Sequence, residues 1–155
     1  MRRFIACIAA LLTVALWVAS ATAYTNISPE EMKSIISDPK QITNVVLVDI
    51  RTDKEFADGH AEGAVNVPFV FERVPGDKST RYPNPEFKNQ IKKLAASNPG
   101  KKLCLICATA HRSEQAANAL AADPVLSEIP VVNVFGGMKG RPGVTGLKDL
   151  VLLVK

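Results

Sequence analysis

Apolar residues recur along this chain with two different periods, one helical and one extended. Met32, Ile35 and Ile36 fall at helical spacing behind Ser28-Pro29-Glu30-Glu31. Ser28 suits an N-cap, Pro29 the first helical position, and Glu31 completes a capping box. The pattern predicts a helix that Pro39 ends. Val45-Val46-Leu47-Val48-Asp49-Ile50 is a near-continuous apolar run, as expected for a strand covered on both faces. Asp53 to Asp58 reads as a short helix closed by Gly59, and Ala64 to Val67 as a short strand stopped by Pro68. Phe69 to Pro85 is rich in proline, glycine and charge, and reads as a loop with one helical turn. Glu86 to Ser97 is amphipathic, with Phe87, Ile91, Leu94 and Ala95 inward; Asn98-Pro99-Gly100 closes it. Leu103 to Ile106 is the next strand, Ser113 to Ala122 the next helix, and Val131 to Phe135 the last clear strand. The apolar end, Leu147 to Val154, is expected to pack on the core.

Strands alternating with helices predict an α/β protein: a single domain with a mainly parallel central sheet flanked by helices. Ligands in such sheets bind beyond the carboxyl ends of strands. No internal repeat or low-complexity tract interrupts the pattern.

The first 23 residues read differently. Arg2 and Arg3 form a basic start, Ile5 to Val18 is apolar apart from Thr13, and Ala21-Thr22-Ala23 is an A-x-A cleavage site. Residues 1–23 are therefore expected to be an export signal, and residues 24–155 the domain. The apolar stretch is short for a span of roughly 20 residues, so no stable membrane association is expected after cleavage. Cys7 lies too early for a lipid-anchoring site. The remaining ~130 residues fit one domain with one core.

Charge excludes one partner class. The chain has 19 basic and 15 acidic residues, and losing Arg2 and Arg3 leaves about +2, too little for nucleic acid. Lys92-Lys93 and Lys101-Lys102 are short surface pairs.

Two cysteines lie beyond the signal, Cys104 and Cys107. A C-x2-C pair in an exported protein suggests a disulfide. Three strand residues at ~3.3 Å each separate the Cα atoms by roughly 10 Å, whereas a disulfide needs less than about 7 Å. The odd separation also puts the side chains on opposite faces. Metal binding by the pair fails for the same reason. Cys104 reads as a small buried hydrophobe and Cys107 as the reactive thiol.

Cys107 opens the stretch Cys107-Ala108-Thr109-Ala110-His111-Arg112-Ser113, between a buried strand and a helix. Loop amides and a helix N-terminus both favour negative charge there, and the same field favours thiolate over thiol. Arg112 either neutralises an anion bound there or braces the loop. His111 reads as a neutral rim histidine.

At this point the chain resembles the rhodanese family of sulfurtransferases. Val48-Asp49-Ile50-Arg51, Glu55-Phe56 and Gly59-His60-Ala61-Glu62-Gly63-Ala64-Val65-Asn66-Val67-Pro68 resemble that family's N-terminal signature. Cys107 to Arg112 resembles its six-residue active loop, and Gly136-Gly137 its late double glycine. With the export signal, the likeness is to small single-domain periplasmic members. The resemblance implies a persulfide on Cys107, drawn from a small anionic donor such as thiosulfate and passed to a thiophilic acceptor. A redox or sulfur-acceptor protein is a further candidate partner, and neither a cofactor nor a metal is implied. Ala108, Thr109, Ala110, His111 and Arg112 would cradle the persulfide. Asp49, Arg51, Glu55 and His60 match the signature but are read as structural rather than catalytic: Asp49 and Arg51 are expected to hold the neighbouring loops by hydrogen bonds and ion pairing, and His60 to fix a turn.

Two departures stand out. The family often has glycine where Ala110 stands; if that residue needs φ > 0, alanine costs about 1 kcal/mol. The family often places tryptophan after the double glycine, where this chain has Met138-Lys139-Gly140-Arg141. Lys139 and Arg141 either attract an anionic donor at the rim or are plain surface charge. Among rivals, cysteine phosphatases and arsenate reductases need C-x5-R, one residue longer than the C-x4-R here. A persulfide carrier or redox-partner module with slow turnover is the other alternative.

Overall fold

The computed structural model describes residues 24–155; the expected export signal lies outside them. Nine strands and four helices follow in order. β1 (Thr25–Ile27) leads into α1 (Pro29–Ser37), then β2 (Val45–Asp49), α2 (Asp53–Ala57), β3 (His60–Ala61) and β4 (Val65–Asn66). β5 (Val70–Glu72) and β6 (Arg81–Pro83) precede α3 (Phe87–Ala96), β7 (Lys102–Ile106), α4 (His111–Ala121), β8 (Val131–Val134) and β9 (Leu153–Val154).

The central sheet runs β1-β8-β7-β2-β4, with every neighbouring pair parallel. The expected α/β class and single domain hold. Alternation along the strands sorts side chains onto two faces. Val46, Val48, Leu103, Leu105 and Cys107 join Phe87 and Ile91 of α3 and Ala116, Ala117 and Leu120 of α4. Leu47, Cys104, Ile106, Val132 and Val134 join Met32 of α1 and Leu147 of the tail. The helices thus cover both faces, which is why the strands read as continuous apolar runs.

Local rules fix the helix starts. Ser28 caps α1, and the reciprocal bonds Glu31 N–H to Ser28 Oγ (3.1 Å) and Ser28 N–H to Glu31 Oε2 (2.7 Å) complete the predicted box. Thr52 and Glu55 form a second capping box at α2, one that sequence reading did not find.

Three expectations are corrected. Phe69 to Pro85 is not a loop: β5 and β6 pair as an antiparallel hairpin, with a 3-10 turn at Lys78–Thr80. Its strands are only three residues long, too short for alternation to show. β1 was not expected either, and is likewise three residues long. In the tail only part of the apolar segment is buried. Leu147 is enclosed, Leu152 is 71% exposed, and β9 closes a small antiparallel pair with β3.

The register places the carboxyl ends of the inner strands side by side. Asp49 of β2 stands opposite both Ile106 of β7 and Asn66 of β4. The chain segments leaving this edge are Ile50–Thr52, the loop starting at Cys107, and Phe135–Gly137.

Candidate active site

Cys107 follows β7 directly and is 1% exposed. The loop to α4 is shorter than expected, because the helix starts at His111 rather than Ser113. Arg112 and Ser113 therefore belong to the first helical turn, and only Ala108, Thr109 and Ala110 bridge strand and helix. Ala110 is the N-cap residue and offers no capping side chain. It also takes φ 73°, the only positive φ outside glycine among the described residues. The conditional strain raised by the sequence is thus present.

Among the described residues, no protein acceptor takes a backbone N–H from Ala108 to Ser113. Six consecutive amides are left open between the sulfur and the first turn of a helix with a positive N-terminal field. That is the arrangement that binds an anion.

The carbonyls of the same loop are turned to other partners. Cys107 O accepts from Met138 N–H at 2.8 Å, and Ala108 O from Lys139 N–H at 2.8 Å. Gly137, at φ 65°, makes this approach possible: a Cβ there would lie 2.6 Å from Cys107 O. The double glycine thus locks the tail against the loop.

Arg112 is braced. Its Nη1 donates to Glu55 Oε2 at 2.7 Å and its Nη2 to Glu55 Oε1 at 3.0 Å. Burial pushes the Glu55 carboxyl up, but the Arg112 hydrogen bonds and charge, with Thr52 N–H and Arg81 beside them, hold it down at about 2. Arg81 Nη2 lies 3.2 Å from Glu55 and 3.0 Å from Glu72. A chain of charges therefore ties α4 to α2 and to the hairpin. The guanidinium charge still reaches Cys107, whose sulfur in turn favours the charged arginine.

A cavity of about 210 Å³ opens above the loop, lined by Glu55, Lys78, Arg81, Ala108, Thr109, His111, Arg112 and Lys139. Cys107 lies beneath this mouth rather than on its wall. The lone acid, Glu55, is already engaged by two arginines, so the mouth is cationic.

All the residues expected at the site are brought together here: Cys107, Ala108, Thr109, Ala110, His111 and Arg112. Lys139 lines the mouth, while Arg141 turns away, over the Phe135 ring at 4.1 Å and towards Glu114 at 3.7 Å. Asp49, Arg51 and His60 are structural, as read. Arg51 pairs with Asp49 at 2.6 Å and donates to Gly59 O at 2.8 Å. His60 stacks on Phe56 and its Nδ1 lies 3.1 Å from Phe56 O. Sequence reading missed Lys78 and Arg81, which arrive on the unforeseen hairpin. It also missed Ser113, whose Oγ lies 3.5 Å from Cys107 Sγ.

Cys104 and Cys107 are both free thiols, on opposite faces of the sheet. Burial pushes the Cys104 thiol up to about 11, against a weak opposing pull from Lys102.

Comparison with known proteins agrees with the fold. Residues 28–140 match the Rhodanese-like domain family. Protein Rv0390 from M. tuberculosis is similar in structure, with a TM-score of 0.62 and 20% identity over 84% of this chain and 98% of that one. A rhodanese-like domain protein from Staphylococcus aureus gives 0.51 and 26% over 79% and 97%. A thiosulfate sulfurtransferase from Pseudomonas aeruginosa gives 0.55 and 16%, over 85% of this chain but 19% of the longer protein. No curated protein matches the chain. The fold is of the sulfurtransferase type.

Proposed function

The chain belongs to the rhodanese-like family, and from that premise we propose that it is an exported sulfurtransferase working through a persulfide on Cys107. The Cys107 sulfur attacks the outer sulfur of a thiosulfate-like donor. The bond to the inner sulfur breaks, and sulfite leaves with its electron pair. A thiophilic acceptor then attacks the outer sulfur and releases Cys107. The observation that carries this reading is the run of open amides from Ala108 to Ser113, which suits an anionic sulfur held at the end of Cys107. The cationic mouth suits an anionic donor.

Intact mass before and after thiosulfate tests the first half: the wild type gains one sulfur and Cys107→Ser gains none. Thiocyanate formation from thiosulfate and cyanide tests the second. No mass gain in the wild type overturns the reading.

The enclosure of Cys107 beneath a mouth it does not line favours one alternative, a persulfide carrier that passes sulfur to a redox or sulfur-acceptor protein with little turnover of its own. Stoichiometric loading with negligible thiocyanate production would select it. Export to the periplasm rests on residues 1–23. N-terminal sequencing of the exported protein is expected to begin at Tyr24 or within a residue or two. No described helix is long and apolar enough to cross a membrane.

A further inference from the structure

We propose that the Ser113 hydroxyl is a two-position hydrogen-bond donor that follows the charge on Cys107 and stabilises its thiolate when the sulfur is handed on. The inference rests on Cys107 acting as the sulfur carrier.

Ser113 is fully buried in the first turn of α4. Its Oγ lies 3.5 Å from Cys107 Sγ and 2.9 Å from Ala110 O. A serine hydroxyl has one proton to give and lone pairs to receive. With the proton on Ala110 O, the Oγ lone pairs are free to face the sulfur. That suits a thiol, whose S–H then donates to Oγ. It does not suit a thiolate, which has no proton and would meet lone pairs.

Rotation about the Cβ–Oγ bond resolves the conflict. It moves one hydrogen from Ala110 O to Sγ and displaces no heavy atom. Ala110 O is not left bare, because Glu114 N–H also donates to it at 2.9 Å. The Arg112 guanidinium is committed to Glu55 by both Nη atoms. Among the described residues, Ser113 supplies the side-chain hydroxyl in hydrogen-bond contact with Cys107 Sγ.

The step it serves is sulfur release. The acceptor lone pair forms a bond to the outer sulfur. The bond between that sulfur and Sγ breaks, and its electron pair remains on Sγ. No proton is transferred; the Ser113 hydroxyl points at the new charge. A hydrogen bond to a charged group in a buried site corresponds to roughly tenfold or more in rate.

The experiment loads each protein with thiosulfate, removes the excess, and follows loss of the added sulfur to cyanide by rapid quench and intact mass. The expected results are release about tenfold slower in Ser113→Ala and in Ser113→Val, with Ser113→Thr within a few-fold of the wild type. Thr and Val have nearly the same shape, so that pair isolates the hydroxyl even if Ser113→Ala folds poorly. Release at the wild-type rate in Ser113→Ala overturns the proposal. So does equal slowing in Thr and Val, which would reduce Ser113 to packing. A wild type that takes up no sulfur instead removes the carrier reading on which the proposal stands.

Discussion

Arg112 and Glu55, 57 positions apart, are joined by two parallel charge-assisted hydrogen bonds of 2.7 and 3.0 Å. The pair makes the guanidinium a brace of the active loop whose charge, rather than whose N–H groups, reaches Cys107.

The brace predicts a pH signature. Burial raises the Glu55 carboxyl, but Arg112 outweighs it and the folded value is about 2, below the ordinary 4.5. A depressed carboxylate contributes stability that is fully present above pH 4.5 and is lost as pH falls through 2. In Glu55→Gln this contribution, roughly 2–3 kcal/mol, is absent at pH 7, and the acid-side slope between pH 4.5 and 2 flattens. Urea denaturation of both proteins across that range is the measurement. Equal slopes would show that the pair adds no pH-dependent stability.

Because the pair is bidentate, Arg112→Lys is expected to behave more like Arg112→Ala than like the wild type. In a double-mutant cycle with Glu55→Ala, the coupling is expected to be about 1.5–3 kcal/mol in stability. Additive losses would argue that Arg112 acts on the donor and not through Glu55.

Much of this site was legible because its parts are short-range. Cys107 follows an apolar run, an arginine follows at a fixed distance, and a helix pattern comes next. The αL strain at Ala110 could be stated in advance as a condition. The opposite-face placement of Cys104 and Cys107 followed from period 2 alone. Contacts made across long separations were not legible. Nothing local marks Glu55 as the partner of Arg112. Lys78 and Arg81 reach the mouth on a hairpin whose three-residue strands carry no readable alternation. Arg141 and Lys139 look alike in sequence and part only because Gly140, between them, turns the chain at φ 77°.

The two cysteines are expected to differ sharply in chemistry. Burial holds the Cys104 thiol near 11, so it stays protonated at any ordinary pH while the fold persists. Cys104→Ser keeps sulfur transfer but loses stability, roughly 1–3 kcal/mol for a buried hydroxyl without a partner. Cys107→Ser keeps the fold and loses transfer, since a hydroxyl is a poor nucleophile towards sulfane sulfur. Alkylation of the native protein at pH 8, mapped by peptide mass, should mark Cys107 alone. Modification of Cys104 in the folded state would contradict a thiol kept protonated by its surroundings.

The cationic mouth sets how donors arrive. Lys78 and Lys139 are exposed and, among the described residues, tied to no acid, so they act at a distance and are screened by salt. Lys78→Gln and Lys139→Gln are each expected to raise the KM for thiosulfate about two- to fivefold at low ionic strength, with kcat nearly unchanged. The difference from wild type should shrink as salt rises. A salt-independent change would point to direct contact or to a shifted hairpin.

Two small substitutions at the loop should act in opposite directions. Ala110 holds φ 73° with a Cβ, a conformation costing about 1–2 kcal/mol outside glycine. Ala110→Gly relieves that strain but gives the unfolded chain more freedom, worth about 0.4–1 kcal/mol, so a net gain of roughly 0.5–1 kcal/mol is expected. Gly137→Ala does the reverse. At φ 65° its new Cβ would stand 2.6 Å from Cys107 O and 2.8 Å from Ala108 O. These are backbone atoms of the active loop, so no side chain can simply step aside. The loop must move, and the two bonds from Met138 and Lys139 N–H to those carbonyls must stretch. A loss of about 2 kcal/mol or more is expected, with sulfur loading impaired even where the protein stays folded. Thermal denaturation alongside loading by intact mass reads both effects. A Gly137→Ala protein with wild-type stability and loading would show that the tail does not hold the loop in place.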